Sequence, residues 1–259
     1  MPSELRSHHQ GQTLVLTISN PEARNALGPE IYVAGVEALN AADANPEVRS
    51  VVITGAGGTF CAGGDLRRLL ARRNEPPSAQ AASVEALHGW IETIHAFPKP
   101  VIAAVEGAAA GAGFSLALAC DLIVAARDAV FAAAYSRVAL SPDGGASWNL
   151  ARALPRQLAA ELLLEGGSIG AQRLHGLGVV NRVAEPGSAL QDALALAGRL
   201  NGRAPNALAS IKELLADAPQ HPLTQQLAAE RDHLVANLHH ANGGIGIRAF
   251  LDKQTPHFE

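Results

Sequence analysis

Two glycine-rich segments carry the residues whose types and spacing suit chemistry. One is Gly55 to Leu66, GAGGTFCAGGDL, and the other is Gly107 to Asp121, GAAAGAGFSLALACD. Each follows an apolar run, and the second continues into an apolar, helix-like stretch. Glycine and alanine at such a junction let a ligand approach the backbone closely. A helix N-terminus adds unpaired N–H groups and the positive end of a dipole. Together they suit an anion, or an oxyanion that develops during a reaction. Small residues also allow tight strand–helix packing with no ligand at all, and both readings stay open on these residues alone.

Two rival chemistries fit less well. Gly111-Ala-Gly113 opens like a dinucleotide-binding GxGxxG, but Leu116 stands where the third glycine belongs. Gly55-Ala-Gly57 has Phe60 at that place, and neither segment leads to a ribose-binding acid at the end of a second strand. Gly166-Gly-Ser168-Ile-Gly170 fits GxSxG on paper. That motif needs a strand before its serine, and the helical run AAELLLE precedes this one. There is no HExxH, and histidines and cysteines do not cluster at zinc-like spacing, so no metal site is expected.

The elements that must hold these segments are legible. Thr13 to Ser19, Ser50 to Thr54, Pro100 to Val105 and Leu122 to Ala125 read as strands. The last three are nearly all apolar, as in strands buried on both faces. Helices are predicted over Pro29 to Ala44, with Ile31, Ala34, Ala38 and Leu39 on one stripe. A second is capped by Ser83, with Val84, Leu87, Ile91 and Ile94 inward, and stops near Phe97 before Pro98 and Pro100. Asn74 to Ala81 reads as an exposed loop. Beyond Asp143 the pattern turns helical: Ala159 to Leu164, Gln191 to Leu200, Pro205 to Ala216 and Pro222 to Leu238, with one β-run at Gly178 to Ala184. Strands alternating with helices give an α/β core over residues 1–200, followed by a helical region over 201–259.

Composition narrows the partners. Hydrophobic residues are 48% of the 259, enough for a sizeable core and too many for a disordered chain. The net charge of −4 argues against nucleic acid, and no apolar stretch approaches the ~20 residues of a spanning helix, so no membrane partner is expected. The polar MPSELRSHHQGQ does not read as a signal peptide. Cys61 and Cys120, far apart, suit a reducing cytoplasm.

Taken in order, five stretches resemble the enoyl-CoA hydratase/isomerase, or crotonase, family. They are SNPEARNAL from Ser19, VVITGAGGTFCAGGDL from Val51, KPVIAAVEGAAAGAGFSLALACDLIVAA from Lys99, SPDGGASWNLARALP from Ser141 and GLGVVNRV from Gly176. The resemblance covers nearly the whole chain. It implies a spiral of ββα units followed by C-terminal helices that support a homotrimer or homohexamer. It also implies an acyl-CoA substrate, with coenzyme A as part of that substrate and no separate cofactor.

The resemblance places two backbone donors around the thioester carbonyl at Ala62 and Ala112. It puts Arg24 and Ala26 at the CoA end, where Arg24 is either a phosphate partner or an ordinary surface arginine. Gly64, Asp65 and Leu66 follow the first donor along the substrate. Phe250 and Lys253 match positions that approach CoA from the same or a neighbouring subunit. The two glutamates of the family's hydratases fall at Ser115 and Tyr135, neither of them a carboxylate, and Tyr135 is expected to line the acyl pocket. Asp143 matches the acid of the family's double-bond isomerases, and its segment closely resembles that of phenylacetate-pathway isomerases. One carboxylate suffices to remove a proton at one carbon and return it at another. Asp143 could equally cap the helix that follows it. His88 is either a boundary residue of its helix or, as in the histidine–aspartate pair of the family's aryl-CoA dehalogenases, a participant. The sequence thus points to isomerisation of an unsaturated acyl-CoA. Hydration in fatty-acid or aromatic-acid degradation, or thioester binding without turnover, are the other readings.

Overall fold

The computed structural model describes residues 3–259. Its main sheet has the order β1-β2-β3-β4-β6-β9. In the chain these strands are β1 (Glu4–Gln10), β2 (Thr13–Ser19), β3 (Ser50–Gly55), β4 (Val101–Val105), β6 (Leu122–Ala126) and β9 (Arg182–Ala184). Only the β1–β2 hairpin is antiparallel, and every other pairing is parallel. A smaller sheet joins β5 (Ala108–Ala110), β7 (Val130–Ala132) and β8 (Ser168–Gly170).

The continuous apolar strands are explained by burial on both faces. Val15, Val52, Ile102, Ala104 and Val124 face one core with Ala189, Ala193 and Leu196. Leu14, Leu16, Val51, Ile53, Val101 and Ala103, the alternate residues, face the larger core on the other side.

Helices α1 (Pro29–Ala44) and α3 (Pro77–Ala96) cover that larger core, α2 (Leu66–Arg72) lies between them in the chain and buries no residue, and α4 (Ala112–Ala119) follows β5. After them come α5 (Ala146–Ala153), α6 (Arg156–Glu165), α7 (Ala171–Gly176) and α8 (Ala189–Asn201), with α8 supplying the second core's helical face. Past Asn201 the chain forms α9 (Pro205–Asp217), α10 (Leu223–His239) and α11 (Ala241–Leu251). This part is tied back by Lys212, which reaches Asp121 at 2.6 Å, and by Arg49, which donates to the Phe258 carbonyl at 2.9 Å. Among the described residues, no helix is long and apolar enough to cross a membrane.

Several sequence expectations need correction. Helix α3 starts at Pro77, with proline at its first position, so Ser83 lies inside the helix and Pro77 to Ala81 are not loop. The buried stripe of α1 runs through Ile31, Tyr32, Gly35, Leu39 and Ala42 and leaves Ala34 and Ala38 half-buried. The reason is Gly35: a Cβ there would sit 2.3 Å from the Trp90 ring of α3, so the glycine admits the indole. The β-run expected from Gly178 shrinks to Arg182–Ala184.

Candidate active site

The two glycine-rich segments meet. Residues 60–64 run between two neighbours and bond to both. On one side Phe60 N–H donates to the Glu106 carbonyl (2.8 Å), Cys61 N–H to Ala108 (3.0 Å) and Ala110 N–H back to Cys61 (2.9 Å). On the other, Ala62 N–H donates to the Arg24 carbonyl (3.1 Å) and Leu27 N–H to Gly63 (2.7 Å). Buried Asn25 locks this loop, donating to the Ala56 and Thr59 carbonyls at 2.8 and 2.6 Å.

Glycine is required at the crossing. Gly63 has φ +92, and a Cβ on it would stand 2.6 Å from the Ala110 oxygen and 3.3 Å from the Ala112 nitrogen. A Cβ on Gly113 would stand 2.5 Å from the Cys61 oxygen. The close approach brings Gly63-Gly64 against the start of α4. There Ala112 is the first helical residue, and its N–H has no acceptor within the helix.

This geometry corrects one expected donor. The Ala62 amide is already engaged by Arg24, so it is not free to meet a thioester carbonyl. The Gly64 N–H, two residues on, has no hydrogen-bond partner among the described residues, and Gly64 lines the adjoining cleft.

The cleft beside Gly64 is open to solvent. Tyr32 of α1, Leu69 and Arg72 of α2, and Val84 and Leu87 of α3 line it, together with Leu27 and Asp65. Asp65 also caps α2, accepting from Arg67 and Arg68 N–H at 2.9 and 3.3 Å. Asp143 lines the same cleft. It precedes Gly144 and Gly145, whose φ of +56 and +80 turn the chain tightly into α5. A Cβ on Gly144 would meet Ser115 at 2.9 Å, so this turn too depends on glycine.

Asp143 does not cap α5: Gly145 occupies the cap position and no side chain bonds there. Instead Asp143 Oδ1 accepts a hydrogen bond from Tyr135 Oη at 2.9 Å. Ser115 Oγ lies 2.9 Å from that hydroxyl and 2.9 Å from the Asp143 carbonyl oxygen. Burial holds the Asp143 carboxyl above the usual carboxylate range, while the Tyr135 hydrogen bond and the charge of His88 pull it partly back. A raised carboxyl in a cleft is what a proton carrier needs.

Tyr135, expected in the acyl pocket, lies behind Asp143 and is not among the cleft residues. His88 is 4.0 Å from Glu85 and acts on Asp143 through charge, without a hydrogen bond. Ala26 is buried in the loop that braces residues 62–64. Arg24 is exposed, as is Leu66 at the start of α2. Phe250 and Lys253 are exposed at the end of α11 and just beyond it, outside the cleft.

A half-buried carboxyl and a free amide at one cleft, with the start of a helix packed against the neighbouring glycine, suit enolate or acyl-transfer chemistry. The comparisons specify which. Residues 8–259 match the family model described as enoyl-CoA hydratase/isomerase. The chain is 35% identical to the 1,2-epoxyphenylacetyl-CoA isomerase of Escherichia coli (strain K12), covering 97% of each chain. It is also 35% identical to the 2,3-dehydroadipyl-CoA hydratase of the same strain, covering 99% of each. The crystal structure of an enoyl-CoA hydratase from Polaromonas sp. JS666 superimposes with a TM-score of 0.98 at 67% identity, over 98% of this chain and 99% of that one. The chain belongs to the enoyl-CoA hydratase/isomerase family, with the crotonase fold and an acyl-CoA substrate.

Proposed function

We propose that this enzyme isomerises an unsaturated acyl-CoA, moving a double bond or rearranging a ring, with Asp143 as the acid–base group. The Gly64 and Ala112 amides receive the thioester carbonyl and stabilise the enolate formed when the α-proton leaves. Asp143 takes that proton and returns it at another carbon of the same acyl group, so no water and no cofactor enters the balance. Losing one such donor typically costs about 10²–10³ in rate. On the family resemblance, Arg24 is assigned to the CoA end, and Phe250 and Lys253, outside this cleft, to a CoA bound in the same or a neighbouring subunit.

The observation that carries this reading is the Asp143 carboxyl itself. It faces the cleft and is held by Tyr135 at 2.9 Å, whereas the other carboxylate lining the cleft, Asp65, has one oxygen committed to capping α2. Hydration is usually assigned to two cooperating acids, and Ser115 and Tyr135 stand at the positions where the family resemblance puts them. A hydratase reading is favoured by the name of the Polaromonas relative.

Product analysis separates the two. Crotonyl-, 3-enoyl- and aryl-CoA substrates are incubated with enzyme and analysed by mass spectrometry and NMR. Isomerisation leaves the mass unchanged and moves the alkene, whereas hydration adds the mass of water. Fast hydration of crotonyl-CoA would sink the isomerase reading, and no turnover of any of them would leave a thioester-binding protein.

A further inference from the structure

Four arginines lie on α2 and its C-cap, and the helix sorts them. Asp65, Arg68, Leu69 and Arg72, spaced three and four apart, line the cleft, while Arg67 and Arg73 are exposed. Gly64 stands just before this helix. At ~1.5 Å per residue, Arg68 and Arg72 lie about 6 Å and about 12 Å further along its axis. Arg68 Nη1 is 3.2 Å from Glu30 Oε2, and both heads stand at the cleft wall: a Cβ on Gly28, which lines the cleft, would meet them at 3.0 and 2.8 Å. Glu30 is exposed, so this ion pair is weak and easily displaced. Arg72 has no hydrogen bond or ion pair among the described residues. The two arginine charges are nevertheless felt together at two places. Burial, and then Asp143, push the Tyr32 phenol up, and both arginines pull it back. A backbone hydrogen bond holds the Glu30 carboxyl below its usual range, and Arg68 and Arg72 lower it further. The two guanidinium groups therefore charge the same part of the cleft, around Tyr32 and Glu30.

Resting on the reading that this cleft takes the acyl group, we propose that Arg68 and Arg72 bind a carboxylate at the far end of that acyl group. The enzyme is thereby tuned to CoA thioesters of dicarboxylic acids. A carboxylate accepts from the planar guanidinium fork and supplies the counter-charge that Arg72 lacks. At Arg68 it replaces Glu30, whose solvent-exposed bond is a weak competitor. A purely alkyl tail strips water from two cations and returns no hydrogen bond. A hydroxyl or keto oxygen accepts a hydrogen bond but leaves the charge unmatched. The arginines stand one to two helical turns from Gly64, so thioester and carboxylate occupy different ends of one cleft.

The test is calorimetric and needs no turnover. Saturated thioesters are titrated into the wild-type enzyme in pairs, adipyl-CoA against hexanoyl-CoA and suberyl-CoA against octanoyl-CoA. Both members of a pair carry the same CoA phosphates, so the ratio of their affinities reports the acyl tail alone. At least one diacid thioester should bind on the order of 10-fold tighter than its partner. In Arg68→Gln and Arg72→Gln that ratio should fall toward one, with thermal melting showing both variants folded. Glu30→Gln removes the competing carboxylate and should raise the ratio; no gain there overturns the place given to the substrate carboxylate at Arg68. Equal binding within both pairs overturns the inference and leaves the isomerase reading standing, since that reading rests on Asp143. A preference that survives intact in both arginine variants overturns the assignment to Arg68 and Arg72. So does an equal weakening of both members of a pair, which would give the arginines to the CoA phosphates. Failure of every thioester to bind overturns both readings together.

Discussion

Tyr135 donates its phenolic proton to Asp143 Oδ1 across 2.9 Å, and Ser115 Oγ stands 2.9 Å from the same phenol oxygen. Tyr135 has one proton, so when it is given to Asp143 the serine donates in turn, to the phenol or to the Asp143 carbonyl. The two residues at the expected hydratase-glutamate positions therefore hold the carboxylate and do not replace it.

Tyr135→Phe removes a hydrogen bond that favours the ionised carboxylate. Asp143 already lies above the ordinary carboxylate range because of burial. The variant should push it higher, so the acidic limb of the kcat–pH profile moves to higher pH while activity on the plateau persists. An unmoved limb would show that Tyr135 only fills space.

The glycine pair at the crossing gives a contrast. Gly64→Ala keeps the N–H, and its Cβ would meet only Leu69 Cδ1 at 3.7 Å, an ordinary contact. That variant should stay folded and active. Gly63→Ala forces a side chain at φ +92 and 2.6 Å from the Ala110 oxygen, and should cost about 1–3 kcal/mol or more and most of the turnover. Melting curves and kcat/KM for the two variants check this; equal behaviour would remove the argument that residues 63–64 are placed by close backbone approach.

How much of this was legible in the sequence depends on the kind of signal. The apolar runs Ser50–Gly55 and Val101–Val105 announced themselves because both faces are buried. The edge strand Glu4–Gln10 did not, because its side chains are nearly all exposed and polar, and its pairing with Thr13–Ser19 is made by backbone alone. The short strands of the second sheet, three residues each, carry too little pattern to stand out. Asp143 and Ala112 were accessible through motif position. Gly64 as the free amide was not, since which of two neighbouring N–H groups is engaged depends on the Arg24 carbonyl, far back in the chain. Tyr32 gave no signal at all: it reaches the cleft through the packing of α1 on α3.

Lys212 pins the C-terminal helices to the core. Its Nζ is 2.6 Å from Asp121 Oδ2, which also accepts the Val101 N–H at 2.7 Å. Burial raises Asp121, and Lys212 is the main opposing influence. Lys212→Met should therefore raise it further. Because the folded-state value is then above the unfolded one, stability should be retained at acid pH and lost as pH climbs past the ordinary value of 3.8. The loss should stay below the about 3–5 kcal/mol of a fully buried broken pair, since both side chains keep some solvent contact. Denaturant curves at several pH values check it, and a pH-independent loss would contradict the sign.

The same helices expose large apolar side chains, among them Leu215, Leu223, Leu227 and Leu234. Leu227 and Leu234 lie seven residues apart on one face of α10. Such a surface is expected to be covered by further copies of the chain, as a trimer or hexamer. Sedimentation should show that assembly at micromolar concentration, and Leu234→Glu should shift it toward smaller species. A wild-type monomer under those conditions would sink the expectation.

Asp143→Asn tests the chemistry and the physics together. Asparagine keeps the size of the side chain and an oxygen for the Tyr135 hydroxyl, but it cannot accept the substrate proton. Isomerisation should fall by roughly 10²–10⁴, the usual worth of a positioned acid or base, while thioester affinity changes little because the Gly64 and Ala112 amides are untouched. Stability should move the other way. Burial raises the Asp143 carboxyl, so its ionised form at neutral pH opposes folding. The variant should melt no lower than the wild type near pH 7. Any gain should fade as pH falls below the carboxylate range, where Asp143 is protonated in both states. Full isomerase activity in Asp143→Asn would remove the acid–base role. A lower melting temperature at neutral pH would instead give this carboxylate a structural duty that its place at the cleft, off the α5 cap, does not provide.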